Sequence, residues 1–525
     1  MILPSRLPVF PLLFWLGASS LAAQAGPVLY RVDGQNQGQQ LGSVIASCAD
    51  LDGDGVRDLI MGAVGSGFER VRVVSGASGA TLFSWTNGSV ATGRFILDVG
   101  DAGDVDADGI TDLLVLGADS LGGSPFRLGT LWVRSGATGV VLYRFDTPTG
   151  LFGGDVGGLG DVNADGHADF FLAVGLVPSG YVDVISGRDG ATLFRLNGTE
   201  PGFGESAAAI GDVDGDKIMD LAVGTPFAAG TGAVQLYSSG SGAVVRTILG
   251  TTAGSAFGSR VRSAGDVDGD GGGDLLVWER GLRGLVVHGL VHVISGARGD
   301  VLQSFPGYDP WELFGHSFAA AGDVDGDGFD DVIIGVDYRN DPTGRQSGTG
   351  YVYSGGTGRL LHFFTTVDRQ DDLGQAVAGM GDVDGDGTPD LAVSAPLGSQ
   401  GTTLYSGSVY VFSGRRQGLV LDLVDFAGGA QTTLRLDGGT PANMGAFLMS
   451  LTGPGPIPTP FGLLSLGPPL FVLGALPFDA QGTAELRFPV PAALSGVYLN
   501  VQAAEVAGLP SPSVQFSPPR PAVII

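Results

Sequence analysis

Asp382-Val-Asp-Gly-Asp-Gly-Thr-Pro-Asp390-Leu-Ala-Val-Ser-Ala-Pro396 decides the fold, because its aspartate pattern returns at six earlier places. Copies begin at Asp50, Asp104, Asp161, Asp212, Asp266 and Asp323, and each runs directly into an apolar segment of strand character. Successive copies start 51 to 59 residues apart. A period of that size marks supersecondary units stacked in a line or arranged around an axis.

The residues between the loops repeat as well. Unit four reads Phe203-Gly204, the loop Asp212 to Asp220, Leu221-Ala-Val-Gly-Thr-Pro226, Ala233-Val-Gln-Leu-Tyr237, then Ala243-Val-Val-Arg-Thr-Ile-Leu249. Period-two alternation punctuated by glycine predicts four antiparallel strands per unit, and Ser-Gly-Ala-x-Gly segments such as Ser75 to Gly79 read as hairpin turns. With 92 glycines, little helix is expected. The fold class is therefore all-β: a seven-bladed propeller, which hides its sheet edges by radial closure, followed by a small β-sandwich. Val28-Leu-Tyr-Arg-Val-Asp-Gly34 resembles the last strand of a unit, Thr192-Leu-Phe-Arg-Leu-Asn-Gly198, yet lacks preceding strands, so it is expected to complete blade seven. An open solenoid would leave it unpaired.

The loops themselves point to a hard divalent cation. Carboxylates on alternate residues of a tight turn converge on one ion, a glycine makes the turn, the seventh residue offers its carbonyl, and the ninth aspartate closes the sphere. The expected ligands are Asp50, Asp52, Asp54, Val56 and Asp58 in the first loop and Asp104, Asp106, Asp108, Ile110 and Asp112 in the second. Asp161, Asn163, Asp165, His167 and Asp169 form the third, and Asp212, Asp214, Asp216, Ile218 and Asp220 the fourth. Asp266, Asp268, Asp270, Gly272 and Asp274 form the fifth, Asp323, Asp325, Asp327, Phe329 and Asp331 the sixth, and Asp382, Asp384, Asp386, Thr388 and Asp390 the seventh. The expected cofactor is Ca2+ at up to seven sites. Asn163 removes a charge from the third and Lys217 takes the glycine position of the fourth, so those two should bind most weakly. An EF-hand differs, closing at position twelve between helices. Aspartates that merely cap turns would leave four carboxylates repelling one another.

Fifty-four acidic against 27 basic residues give a formal charge of −27, which argues against nucleic acid or an anionic membrane as partner. Half of those acids lie in the loops, and seven divalent ions would bring the charge to −13. Arg6, the apolar run from Leu7 to about Leu21 and Ala23-Gln24-Ala25 read as a signal peptide at 1–25. The one cysteine, Cys48, cannot form an internal disulfide and reads as a small buried residue. His167, His288, His292, His316 and His362 fall in different units or beside a strand, and no nucleophile elbow, zinc-helix pair or phosphate loop occurs. No catalytic and no organic-cofactor residue is expected.

Phe203-Gly204, the aspartate loop, and Gly224-Thr225-Pro226 or Ser394-Ala395-Pro396 together resemble the FG-GAP repeat of the integrin alpha-subunit head, over about residues 27 to 417. The resemblance implies a seven-bladed propeller whose calcium loops join the first and second strands of each blade. It also implies that ligands meet the opposite face through loops of variable length, here the inserts Ala118 to Leu128 and Asp337 to Gly350. Departures are Phe95-Ile96 in unit two, Leu373-Gly374 in unit seven and Trp278-Glu279-Arg280 in unit five.

The expected domains are the propeller at 26–417 and a sandwich at 418–525, the latter from alternating runs at Thr432–Leu436, Ala446–Ser450, Ala484–Phe488 and Val497–Val501. Leu419 to Phe426 is an alternative final propeller strand. Gly438 to Phe478 carries no charge, but its prolines argue against a spanning helix. The functional expectation is a secreted, extracellular or cell-surface adhesion or ligand-binding module, monomeric, with a protein or glycan partner. The alternatives are a polysaccharide-active hydrolase or lyase working in the propeller funnel and a structural envelope protein.

Overall fold

The computed structural model describes residues 27–65, 71–85, 94–120, 127–147, 154–175, 180–283, 286–307, 314–336, 348–364, 371–399 and 403–415, and beyond these only strands between 420 and 523. For 94–95, 118–120, 127–128, 281–283, 286–288 and the strands after 420 it describes the backbone alone. The expected leader lies outside the described residues. So do 337–347 of one insert and 121–126 of the other.

Seven four-stranded antiparallel sheets follow one another in chain order. In blade four the strands are Ala207–Ile210, Asp220–Thr225, Ala233–Tyr237 and Val244–Leu249, each bonded to the next. In blades one, three, four, six and seven the second strands are buried along their whole length, because both faces of a blade pack against neighbouring blades; this is why they read as continuous apolar runs. The fourth strands alternate between exposed and buried and carry ion pairs such as Arg31 with Asp33 and Arg144 with Asp146, which blunt an outer edge against aggregation.

Blade seven closes the ring. Its inner strands Val377–Gly381, Asp390–Ala395 and Ser408–Phe412 are completed by Val28–Asp33, with Arg31 opposite Tyr410 and Asp33 opposite Ser408. An open array of seven units has one fewer interface than units. Here there are seven apolar clusters, and the seventh packs Val32, Leu41, Leu59 and Met61 of the amino-terminal region against Ala392, Val409 and Val411. Val420–Val424 does not join blade seven; it pairs with Gln431–Asp437.

The turns after the third strands do more than reverse the chain. The third residue of each outer strand packs beneath the last glycine of the next blade's turn: a Cβ on Gly79 would meet the Tyr30 ring at 2.7 Å, and one on Gly139 the Phe83 ring at 2.9 Å. Tyr143 Oη donates across the same junction to the carbonyl of Arg188 at 2.9 Å. Near the axis, where each inner strand has a free edge, side chains of one blade accept N–H groups of the next. Asp98 accepts from Val156 at 3.0 Å, Asp155 from Ala207 at 2.9 Å and Ser206 from Val261 at 3.0 Å.

In blades five and two, which lack the proline, the second strand runs on. Trp278-Glu279-Arg280 lies within Asp274–Arg283, paired through to Val286–Ile294, and Asp112–Ser120 likewise pairs with Arg127–Arg134. Part of the expected insert at 118–128 is therefore strand.

Residues 25–416 form one compact unit and those from 417 onwards another. In the second, Gln431–Asp437 lies between Val420–Val424 and Ala484–Pro489, and Met444–Ser450 between Leu470–Pro477 and Tyr498–Ala507. Pro454–Thr459 pairs with Gly462–Leu466, so the charge-free stretch holds strands that its prolines conceal from a reading of the pattern. The side chains that would define a sandwich core there lie outside the described residues. No helix among the described residues is long and apolar enough to cross a membrane.

Candidate metal centres

Each aspartate loop joins the first strand of a blade to the second, so all seven lie on one face of the ring. In the first loop both oxygens of Asp50 are gripped by the turn: Gly53 N–H donates to Oδ1 at 2.7 Å and Gly55 N–H to Oδ2 at 2.7 Å. These bonds hold the Asp50 carboxyl below its usual range. Val56 N–H donates to Asp54 Oδ1 at 2.9 Å. The pattern recurs in loop seven, where Asp386 and Gly387 donate to Asp382 and Thr388 donates to Asp386.

The ninth aspartate is the first residue of the second strand and is fully buried in loops one, two, three, four, five, six and seven. It ties the loop to the end of the third strand. Asp390 Oδ2 accepts from Val383 N–H at 2.7 Å, while Oδ1 accepts from Gly414 N–H at 2.9 Å. Asp58 does the same with Leu51 and Gly76, both at 2.8 Å. The glycine of Ser-Gly is required by close approach: a Cβ on Gly76 would sit 1.8 Å from the carbonyl oxygen of Arg57. Sequence reading treated Ser-Gly as turn punctuation and missed this link. Its only trace in the sequence is that Ser-Gly follows the third strand of every blade but the fourth, where Ser239 takes the glycine's place.

Burial, reinforced by neighbouring carboxylates and opposed by these N–H groups, pushes Asp58, Asp112, Asp220, Asp274 and Asp390 up to about 6 and Asp331 to about 7. At these acids burial outweighs the stabilisation that the N–H groups give the charged form.

The oxygens converge. One from each of Asp50, Asp52 and Asp58 lies within 4.8 Å of the others, and the same holds for Asp104, Asp106 and Asp108, for Asp212, Asp214 and Asp220, for Asp266, Asp268 and Asp274, and for Asp323, Asp325 and Asp331. Ligands about 2.3–2.6 Å from one calcium ion are separated by at most about 5 Å, so these sets fit around a single ion. Oxygen-only donors favour calcium, magnesium or manganese over zinc or copper. The residues present fit the ion that the sequence implies.

A family model for the FG-GAP repeat matches residues 203–237, 314–353 and 374–412, which are parts of blades four, six and seven. Three of the seven blades thus carry FG-GAP repeats. It is 31% identical over 146 residues to integrin alpha-5 of Xenopus laevis, covering 26% of this chain and 13% of the relative. With integrin alpha pat-2 of Caenorhabditis briggsae it shares 31% over 239 residues, 40% of this chain and 19% of that protein. With integrin alpha-V of Gallus gallus it shares 30% over 206 residues, 36% and 20% respectively. The chain thus spans a fifth or less of these relatives' length. The solved Dos1 propeller aligns with a TM-score of 0.39 at 12% identity, covering 71% of this chain and 83% of its own.

Within this framework each loop demands two left-handed residues, not one. Position four is Gly53 at φ +79° and position six Gly55 at φ +88° in the first loop. Ala107 and Ala164 adopt φ +61° and +59° at position four, and Lys217 adopts φ +70° at position six. Lys217 therefore bears the unusual backbone angle while Asp212, Asp214 and Asp220 still come together. His167 turns its ring away from loop three, with Nδ1 2.8 Å from the carbonyl oxygen of Val105.

At the opposite end of the channel, where the inner strands begin, the ring carries a second polar assembly. Arg262 of blade five reaches past blade four to Asp155 of blade three, with Nη2–Oδ1 2.9 Å and Nη1–Oδ2 3.0 Å, and Ser206 Oγ donates to the same carboxylate at 2.8 Å. The Arg262 side chain is 41% exposed and its Asp155 partner 11%. Beside it burial and the nearby Asp155 push Asp98 up to about 7. Burial and the adjacent Arg260 push His316 down to about 4, leaving it neutral. Cys48 is fully buried, and burial pushes its thiol well up, which makes it inert.

Proposed function

We propose that this chain is a secreted, calcium-dependent binding module, its leader removed after Ala25, that uses the ring as a rigid, metal-braced platform for an extracellular protein or glycan. The observation that carries the calcium reading is the convergence of carboxylate oxygens within 4.8 Å, with a buried aspartate in four of the five sets. In each loop the first, third, fifth and ninth side chains and the seventh carbonyl would hold the ion. The third and fourth loops, with Asn163 and Lys217, would hold it most weakly.

The face opposite the loops is the recognition face in this reading. The second strands start at the ninth aspartates, so the loops that follow them emerge at the other end of the blade. There Phe227 is 59% exposed in blade four, and Leu404 and Tyr405 are 48% and 49% exposed in blade seven. Exposed aromatics on loops carried by a rigid scaffold supply the anchors that binding surfaces use. No turnover is assigned to the chain, and it acts as a monomer.

Two experiments test the reading. Elemental analysis of purified, processed protein at about 1 mM calcium, in the range of extracellular modules, should find several ions per chain; none would end the calcium reading. A protein and glycan array probed with and without calcium should return a calcium-dependent ligand whose binding Phe227→Ala or Tyr405→Ala weakens. Binding unmoved by either change would place recognition elsewhere.

A further inference from the structure

The turn that follows each third strand hangs over the aspartate loop of its own blade. Its fourth position holds Ser78, Thr138, Asp189, Ser241 and Thr357 in blades one, two, three, four and six, and Arg298 in blade five. From that position the Arg298 guanidinium enters the fifth loop. Nη2 lies 2.5 Å from Asp268 Oδ2, Nη1 lies 3.2 Å from Asp270 Oδ2, and Nε is 3.7 Å from Asp300 Oδ2. The side chains of Asp268 and Asp270 are only 14% and 26% exposed, while the Arg298 side chain, 47% exposed, covers them from the solvent side.

Both carboxylates belong to the expected ligand set, and Asp268 lies in the trio with Asp266 and Asp274. In blades one and six the corresponding oxygen meets a neutral group, and in blade seven Arg415 Nη1 stands off at 3.8 Å from Asp386 Oδ2 on a side chain 66% exposed. Ser75 Oγ donates to Asp54 Oδ2 at 3.2 Å in blade one, and Ser354 Oγ to Asp327 Oδ2 at 3.5 Å in blade six. A hydroxyl leaves the carboxylate charge in place for an ion to neutralise. A guanidinium neutralises it with charge-assisted bonds, and its planar fork spans two acids in a way that a lysine ammonium would not.

We propose that blade five carries its own counter-ion: Arg298 neutralises Asp268 and Asp270, so the fifth loop keeps its shape without a divalent cation and binds one only when the guanidinium is displaced. The inference rests on the reading of the remaining loops as calcium sites. A divalent ion entering this loop would lose two carboxylates to the arginine and meet a positive charge a few ångströms away. The ring would thereby keep one corner that calcium depletion does not loosen.

The test counts calcium on the full processed chain by elemental analysis after equilibration at about 1 mM free calcium, for the wild type, Arg298→Ala and Arg298→Gln. Both variants are expected to hold one more equivalent than the wild type, and adding Asp268→Asn to Arg298→Ala should remove it again. In chelator, Arg298→Ala should unfold at lower denaturant than the wild type, and calcium should close that gap. Calcium on the wild type with an unchanged count in both variants overturns this inference alone. No calcium on any of the chains overturns the calcium reading and this inference together.

Discussion

Asp390 and Asp386 belong to the same loop but should fail in different ways, and the difference separates scaffold from metal site. Asp390 is fully buried and accepts three backbone N–H groups, from Val383 at 2.7 Å, Asp384 at 3.2 Å and Gly414 at 2.9 Å. Replacing it with alanine strands those donors away from water, and at about 1 kcal/mol or more for each the loss is about 3 kcal/mol with no ion present. Asp386 accepts from Thr388 N–H at 2.9 Å in an exposed turn, where water can replace it. Its replacement by alanine should cost only about 0.5 kcal/mol without calcium. With calcium at about a hundred times the dissociation constant it should forfeit up to about 2.7 kcal/mol more as its site is lost. Asp390→Asn keeps one acceptor and sheds a charge that burial disfavours, so it should fall between the two alanine variants in chelator. Urea unfolding followed by tryptophan fluorescence, with excess chelator and again with calcium, provides the comparison. If Asp390→Ala in chelator unfolds at the wild-type midpoint, the ninth aspartate is not the clasp described here.

Three further outcomes are expected. Lys217→Gly relieves a lysine held at φ +70°, so it should raise stability in chelator by about 0.5–1 kcal/mol; a loss on urea unfolding would count against the strain. Asp98 is pushed up to about 7 in the folded ring, against about 3.9 unfolded. A carboxyl raised on folding favours the native state while protonated, so its contribution is present below about pH 4 and lost as pH rises to 7. Asp98→Asn should flatten that decline in urea titrations at saturating calcium from pH 4.5 to 8, and parallel profiles for the two chains would refute it. Removing residues 26–34 unpairs Ser408–Phe412 along its outer edge and removes Val32 from the closing cluster, so size-exclusion chromatography should show association where the full chain runs as a monomer.

The blades were legible because two independent periodicities agreed. The spacing of the aspartates set the unit, and the alternation between loops set the strands. Even the ring closure could be read, since Val28 to Gly34 matches an outer strand without having a blade of its own. What stayed hidden was each contact between distant positions that no local pattern encodes. Asp155 and Arg262 are paired across an intervening blade, and neither residue stands out in its own strand. Arg298 occupies a turn position that serine or threonine fills in blades one, two, four and six, and nothing in the turn shows that its side chain points into the loop. The strand Pro454–Thr459 was hidden for the opposite reason: prolines that usually end a strand are accommodated in a two-stranded pairing.

The ninth aspartate also explains why these loops tolerate irregular sequences elsewhere. Asn163 and Lys217 change the ligands or the backbone of their loops, yet Asp169 and Asp220 still hold Val162 and Val213 at one oxygen and Gly187 and Ser239 at the other. The clasp is made of backbone donors and one buried carboxylate, so it survives when the exposed aspartates do not. A loop can then lose affinity for an ion without losing its place in the blade. Divergence among the seven loops is thus expected to concentrate at positions one to seven and to spare the ninth, and the first seven positions are where Asn163, Lys217 and the Arg298-bound Asp268 and Asp270 are found.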